Sequence, residues 1–345
     1  MQNAKLLLTA IITLTLNACV TTGMTPNQSS STDTLTKTKT GWQSASPLTS
    51  LYSYQLIDVR GGVPQMVNLD ANDGGLLSYD IVFIGENHRH PGNHLAQAMI
   101  YQRMLADGEK VILSLEQFER DTQHTLDAYL NDEIGEWSLQ HFGRAWDNYP
   151  SSYRPLVEMA KVQGMPVIAA NAPKDTVICT GRNGLGVLDQ LPDERKGQVA
   201  TSFYTPEEGA YFDKFANTMS HGGASLKATT QTDSKTTAVT ATKTTAKPMS
   251  KRSLNGYHAQ IVRDDTMAES IHLAMQANPG HKLVHLNGHF HSASGLGTVE
   301  RVKRRRQSNI VVVQPVLVDD PNLPSFSLGD ASTGDYLLLI HPLPE

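Results

Sequence analysis

Residues 81–94 read IVFIGENHRHPGNH. The first five, Ile81–Gly85, are a continuous apolar run of strand-forming residues. A dense polar group follows at once, with Glu86, Asn87, His88, Arg89 and His90, and a helical pattern runs from about His94 to Ala106. An apolar strand that ends in polar residues and leads into a helix is one unit of an alternating fold. The same kind of run recurs at Val111–Leu115, Pro166–Ala170, Leu283–Leu286, Ile310–Val318 and Tyr336–Ile340. Helical patterns lie between them at about Thr122–Leu130, Ser152–Gln163 and His258–Gln276. Strands that are apolar throughout, rather than alternating, are covered on both faces, and helices between them provide the cover. The pattern predicts an α/β fold with a mostly parallel central sheet flanked by helices. Only the loop 319–335 separates the last two runs, so they are expected to pair antiparallel. The stretches 119–165 and 187–221 read as a helical subdomain or cap.

In such sheets functional groups gather beyond the carboxyl ends of the strands. Glu86 and His88 are two apart and point the same way in extended chain, with His94 and Gln97 close behind. The second strand ends at Glu116, the third at Asn171, and the fourth leads into Gly288-His289-Phe290-His291. A lone histidine is more often a satisfied structural residue. Several ionisable groups at one rim are different, because burying them together costs several kcal/mol unless they are paired or bound to something. Imidazoles with carboxylates suit a transition metal or general acid–base work. No HExxH zinc helix is present.

The chain has 345 residues and a formal net charge of −5, a mild balance that argues against a nucleic-acid binder. It opens MQNAKLLLTAIITLTLNACV. Lys5 precedes the apolar run Leu6–Leu16, which falls short of the roughly 20 residues needed to span a bilayer and fits a signal peptide. Residues 1–18 are therefore expected to be an export signal. Leu16-Asn17-Ala18-Cys19 resembles the lipobox of bacterial lipoproteins, so Cys19 is expected to be acylated and to anchor the chain. An ordinary signal peptide with an incidental cysteine is the alternative. Val20, rather than Asp, follows the cysteine. By enterobacterial analogy this directs the protein to the outer membrane, facing the periplasm or the surface. Residues 19–48, rich in Thr and Ser, read as a disordered tether, and 49–345 as the folded domain. Within it, 222–252 is a low-complexity insertion expected to form a long loop. The other cysteine, Cys179, reads as a small core residue.

The motifs GENH (85–88), SLEQFERDTQ (114–123), YRPLVEMA (153–160), VIAANAP (167–173), QIVRDDTMAESI (260–271) and LNGHFH (286–291) occur in this order. Together they resemble the ChaN-type haem-binding lipoproteins of the Tiki superfamily, over about residues 50–318. The resemblance implies an α/β domain with a helical subdomain. It also implies a homodimer that holds haem between two subunits, a tyrosine as iron ligand, and polar or basic groups near the propionates. The implied role is haem and iron acquisition, with an outer-membrane haem receptor as a further partner. A tyrosinate ligand needs a nearby cation to lower its pKa. Tyr153, followed by Arg154, is the first candidate, with Tyr204 and Tyr257 as alternatives. His88, His289 and Arg263 are expected near the haem. Trp137, Phe142 and Trp146 either cover the porphyrin or belong to the core. The basic run Arg301–Arg306 reads as a solvated loop, or else as a partner for propionates or anionic lipid. No CxxCH motif is present, so the haem would be non-covalent.

The wider superfamily suggests a second function. Tiki-type metalloproteases carry two Gly-x-x-His motifs and a glutamate, and this chain has Gly85-x-x-His88, Gly288-x-x-His291 and Glu116. Erythromycin esterases use a similar pocket. The alternative is a metal-dependent hydrolase using Glu86, His88, Glu116, His289 and His291. A divalent transition metal would then be held by Glu86, His88, Glu116 and His291. A third reading is a non-catalytic surface adaptor.

Overall fold

The computed structural model describes residues 34–70, 75–106, 108–220 and 249–344. The expected export signal, Cys19, the tether up to residue 33 and the insertion from 222 to 248 lie outside the described residues. The strands are β1 (Leu35–Lys37), β2 (Gly41–Ser44), β3 (Tyr54–Asp58), β4 (Gln65–Val67), β5 (Ile81–Glu86), β6 (Val111–Glu119), β7 (Val167–Asn171), β8 (Lys282–Gly288), β9 (Ile310–Leu317), β10 (Ser325–Ser327) and β11 (Tyr336–Ile340). Helices α1 (Pro91–Ala106), α2 (Gln123–Leu130), α3 (Glu136–Phe142), α4 (Tyr149–Ser152) and α5 (Arg154–Val162) fall between β5 and β7. They are followed by α6 (Lys174–Asn183), α7 (Asp193–Lys196), α8 (Ala210–Ser220), α9 (Lys251–Ala277), α10 (Thr298–Arg305) and α11 (Leu328–Ala331). No described helix is long and apolar enough to cross a membrane.

Eight strands form one sheet in the order β4-β3-β11-β9-β5-β8-β6-β7. All neighbours from β11 to β7 are parallel, and β3 and β4 are antiparallel additions at the other edge. Alternation within each apolar run divides its side chains between two faces. Val82, Ile84, Leu113, Leu115, Val284 and Leu286 join α1 through Ile100 and Met104 and α5 through Leu156 and Val157. Ile81, Phe83, Ile112 and Leu283 face the other way, onto Ile271 and Met275 of α9 and Val299 and Val302 of α10. Each such buried side chain contributes about 1.5–3 kcal/mol, so a strand apolar on both faces stabilises both layers.

Several expectations change. β9 and β11 pair in parallel, because the chain between them builds β10 into a separate three-stranded sheet, makes α11 and returns to the starting end. That small sheet, β1-β2-β10, includes residues expected to lie in the tether. Residues 35–37 and 41–44 form strands, Leu48 is buried, and a Cβ on Gly41 would lie 2.0 Å from the Phe326 carbonyl oxygen. The expected insertion ends earlier than residue 252, since Lys251 and Arg252 already belong to α9, capped by the Ser250 hydroxyl. Leu126, Leu139, Tyr149 and Tyr153, from the helical stretch after β6, belong to the same core as the sheet. Cys179 is exposed on α6, where the helical period turns Thr176, Val177 and Thr180 inward instead. The basic run is helix α10 rather than a loop, with Arg301 fully buried.

Candidate functional site

Because β5, β8, β6 and β7 are neighbours and run in parallel, their carboxyl ends meet at one rim. The turn after β5 is held by Asn93, whose Oδ1 accepts the Asn87 N–H at 2.9 Å while its Nδ2 donates to the Gly85 carbonyl at 3.2 Å. Glu86 is fully buried behind this turn. Its Oε1 bonds His88 Nδ1 (2.7 Å), the Tyr153 hydroxyl (2.7 Å) and Gln117 Nε2 (3.1 Å), and its Oε2 accepts from Gln97 Nε2 (2.7 Å). Burial disfavours the Glu86 charge, but the His88 hydrogen bond and the charges of His94 and His88 outweigh it, leaving its pKa at about 2.

Glu116 holds the centre of the rim. Its Oε2 accepts the Gly288 N–H at 2.6 Å, its own carbonyl accepts Asn171 Nδ2 at 3.0 Å, and its Oε1 lies 3.6 Å from His291 Nε2. His291 Nδ1 bonds Asp264 Oδ1 at 2.8 Å; that carboxylate also accepts the hydroxyls of Thr298 and Tyr211. His88 and His291 are thus built alike, each with Nδ1 on a buried carboxylate. Burial lowers the pKa of both, but the hydrogen bond to Glu86 and the Glu116 charge raise that of His88, and Glu116 and Asp264 raise that of His291. His289 differs. Burial takes it down to about 4, and its Nδ1 lies 3.3 Å from the Glu86 carbonyl oxygen, so it stays neutral near neutrality.

The glycines of the two Gly-x-x-His motifs make room for this arrangement. A Cβ on Gly288 would sit 2.9 Å from His88 Nε2, and one on Gly85 would sit 2.8 Å from Gln314 Oε1. Arg263 is half-buried and forms no ion pair among the described residues, and its charge opposes protonation of both His88 and His291.

Glu86, His88, Glu116, His289, His291 and Arg263 therefore come together at this rim. Their donor geometry does not fit a divalent metal. Both Glu86 oxygens are engaged by hydrogen bonds, and no group of three His, Cys, Asp or Glu side chains in metal-binding geometry occurs among the described residues. The two carboxylate–imidazole pairs beside Glu116 do fit proton transfer.

Tyr153 does not meet the expectation of a phenol beside a cation. It is fully buried, and burial and Glu86 both push its pKa up, while Arg154 pairs with Glu136 at 2.8 Å. Tyr257 is also buried and donates to the Pro206 carbonyl at 2.6 Å. Tyr204 is half-buried, its hydroxyl has no hydrogen bond among the described residues, and the Arg304 guanidinium lies 3.6 Å from its ring centroid. Trp137 and Phe142 are exposed on α3, whereas Trp146 packs edge-on against His88 with centroids 5.0 Å apart.

Sequence reasoning left Asp264 without a role and read Arg301 only as part of the basic run. Arg301 is fully buried, with Nε 3.0 Å from Asp265 Oδ2 and donations to the Gly297 and Tyr204 carbonyls. The available signal was the pair of adjacent acids, Asp264 and Asp265, within the helical pattern His258–Gln276.

The family model described as haem-binding uptake, Tiki superfamily, ChaN matches residues 75–302. The structure of cofacial haem binding to ChaN of Campylobacter jejuni is 15% identical, with a TM-score of 0.54 over 84% of this chain and 97% of that one. This likeness shows a shared fold. An erythromycin esterase EreC mutant in its open conformation scores 0.42 at 11% identity, covering 80% of this chain and 83% of its own. A succinoglycan biosynthesis protein scores 0.43 at 10% identity, covering 76% and 88%. Among curated proteins, no sequence matches.

Proposed function

The chain belongs to the ChaN family of haem-binding uptake proteins in the Tiki superfamily, and on that premise we propose that it is a lipoprotein that captures haem reversibly for iron acquisition. Cys19 carries the lipid, the outer membrane is the site of attachment, and an outer-membrane receptor exchanges haem with it. Tyr204 would supply the oxygen that holds the haem iron. The observation that carries this assignment is that its hydroxyl has no hydrogen bond among the described residues, with the Arg304 guanidinium 3.6 Å from its ring centroid. Haem supplies the iron that takes this oxygen. Lys303 and Arg304, exposed on α10, are cations of the kind that pair with propionates. A homodimer formed on binding is part of the same reading.

Hemin titration of the mature chain tests this. A shifted Soret band is expected in the parent and in Tyr153→Phe and Tyr257→Phe, and not in Tyr204→Phe. A Soret band unchanged in Tyr204→Phe overturns the ligand assignment. Cys19→Ser should leave the membrane fraction.

One observation favours a second reading, hydrolysis of an ester or peptide bond. His88 and His291, each oriented by a buried carboxylate, flank Glu116 as general acid–base groups do. Hydrolysis of model esters that survives Glu116→Gln would sink it.

A further inference from the structure

We propose that Lys214 of α8 is a positioning residue of the second Gly-x-x-His turn, holding His289 and His291 at the rim through the carbonyls of Phe290 and Ala293. The inference deepens the hydrolytic reading and rests on it only where activity is the readout.

Beyond Gly288 the chain is irregular. His289–His291 and Ala293–Gly295 are two single turns of 3₁₀ helix, and φ is positive at Ser294 (62°), Gly295 (67°) and Gly297 (61°). Such short turns close few of their own backbone hydrogen bonds, so their carbonyls need outside donors. Lys214 Nζ supplies them. It donates to the Phe290 carbonyl at 2.7 Å, in the first turn, and to the Ala293 carbonyl at 3.1 Å, in the second. One ammonium thus ties the two turns together. It also lies over the Phe290 ring, 4.8 Å from its centroid, where the face of the ring attracts a cation.

Tyr211 lies one turn earlier on the same helix, so it shares a face with Lys214. Its hydroxyl donates to Asp264, and the other oxygen of that carboxylate bonds His291 Nδ1 at 2.8 Å. Helix α8 therefore grips His291 twice, through the carboxylate that orients the ring and through the backbone that carries it. Tyr211 and Phe215 seat the helix in one apolar cluster with Tyr257, Ile261 and Phe290.

The charge of Lys214 matters as well as its bonds. Burial takes its pKa down to about 8, against the pull of Asp264, so the side chain is mostly an ammonium at neutral pH. That charge adds to burial in disfavouring protonation of His289. With its Nδ1 proton on the Glu86 carbonyl, neutral His289 keeps Nε2 as an acceptor. One histidine pushed down beside two, His88 and His291, pushed up is the division that acid–base chemistry uses.

NMR titration of the histidine rings in the mature chain tests the proposal, in the parent, Lys214→Met and Lys214→Arg. Lys214→Met should raise the proton affinity of His289 about fivefold or more, the order of a nearby unit charge in a partly solvated site. Lys214→Arg keeps a charged donor and should restore most of the difference. A His289 titration in Lys214→Met that matches the parent, or one shifted equally in Lys214→Arg, overturns the proposal. A further measurement needs no variant: in the parent the Lys214 Cε signal should titrate near pH 8, with an inflection of the His289 ring signals at the same pH, and absence of that inflection also overturns it. In a parent that hydrolyses model esters, Lys214→Met should lower kcat about tenfold or more with KM little changed, and an unchanged kcat counts equally against the proposal. A parent without esterase activity sinks the hydrolytic reading alone and leaves the His289 result standing.

Discussion

The Tyr153 hydroxyl donates to Glu86 Oε1 at 2.7 Å, with both side chains fully buried. A phenol committed to an ionised carboxylate is a poor source of tyrosinate, because losing its proton would place two negative charges together. Tyr153→Phe should therefore retain hemin binding. It should also cost about 1–3 kcal/mol in chemical denaturation, the usual loss when a buried charged acceptor is deprived of a donor. Loss of the Soret shift with unchanged stability would reverse the assignment.

Glu86 makes the fold sensitive to acid. Its pKa falls from 4.5 to about 2 on folding. A depressed carboxylate contributes stability that is full above the unfolded value and is lost as pH falls through 4.5 towards 2. The shift corresponds to about 3 kcal/mol. The stability difference between the parent and Glu86→Gln should therefore be constant near neutrality and shrink on acidification across that window. Denaturation midpoints measured from pH 6 to pH 2.5 check this, and a difference that grows on acidification would contradict it.

The sheet was legible because each strand is apolar on both faces and ends in polar residues. The rim was legible for the same reason: a parallel sheet brings the ends of neighbouring strands together, so Glu86, Glu116 and His291 had to converge once the strands were identified. The partners of the histidines were not legible. Asp264 lies on α9, and only the three-dimensional crossing of α9 beneath β8 brings it to His291. The direction of β11 against β9 was also misjudged, because loop length alone does not reveal that 318–335 detours through a second small sheet. Tyr153 looked suitable because Arg154 follows it, yet Tyr153 caps the junction of α4 and α5 with its hydroxyl on Glu86, and Arg154 turns to Glu136.

The two motif glycines should respond differently to alanine. At Gly85 the new Cβ meets Gln314, which is buried and hydrogen-bonded to Ser292 at 2.6 Å, so the neighbour has nowhere to go. Gly85→Ala should cost about 1–3 kcal/mol, as overpacking does. At Gly288 the Cβ meets the ring of His88, which is half-exposed and free to swing out. Gly288→Ala should cost less than Gly85→Ala in denaturation while abolishing the His88–Glu86 contact, read as a lowered His88 pKa by NMR. Equal losses of stability would show that His88 is as confined as Gln314.

Arg301 is the least expendable member of the basic run. Arg304 and Lys303 face solvent, but Arg301 is buried against Asp265 at 3.0 Å, and its charge also acts on Asp264, which orients His291. Removing one partner of a buried pair costs about 3–5 kcal/mol when the other charge is left uncompensated, and Asp265 keeps Arg305 Nη2 at 2.8 Å, which puts this loss at the lower end. Arg301→Met should fall in that range, while Lys303→Met stays near the parent. Arg301→Lys should recover only part of the loss, because an ammonium cannot bond Asp265 and the Gly297 and Tyr204 carbonyls in the planar geometry of the guanidinium. Thermal and denaturant unfolding of the three variants check the order, and a parent-like Arg301→Met would mean that Asp264 and Asp265 are neutralised without it.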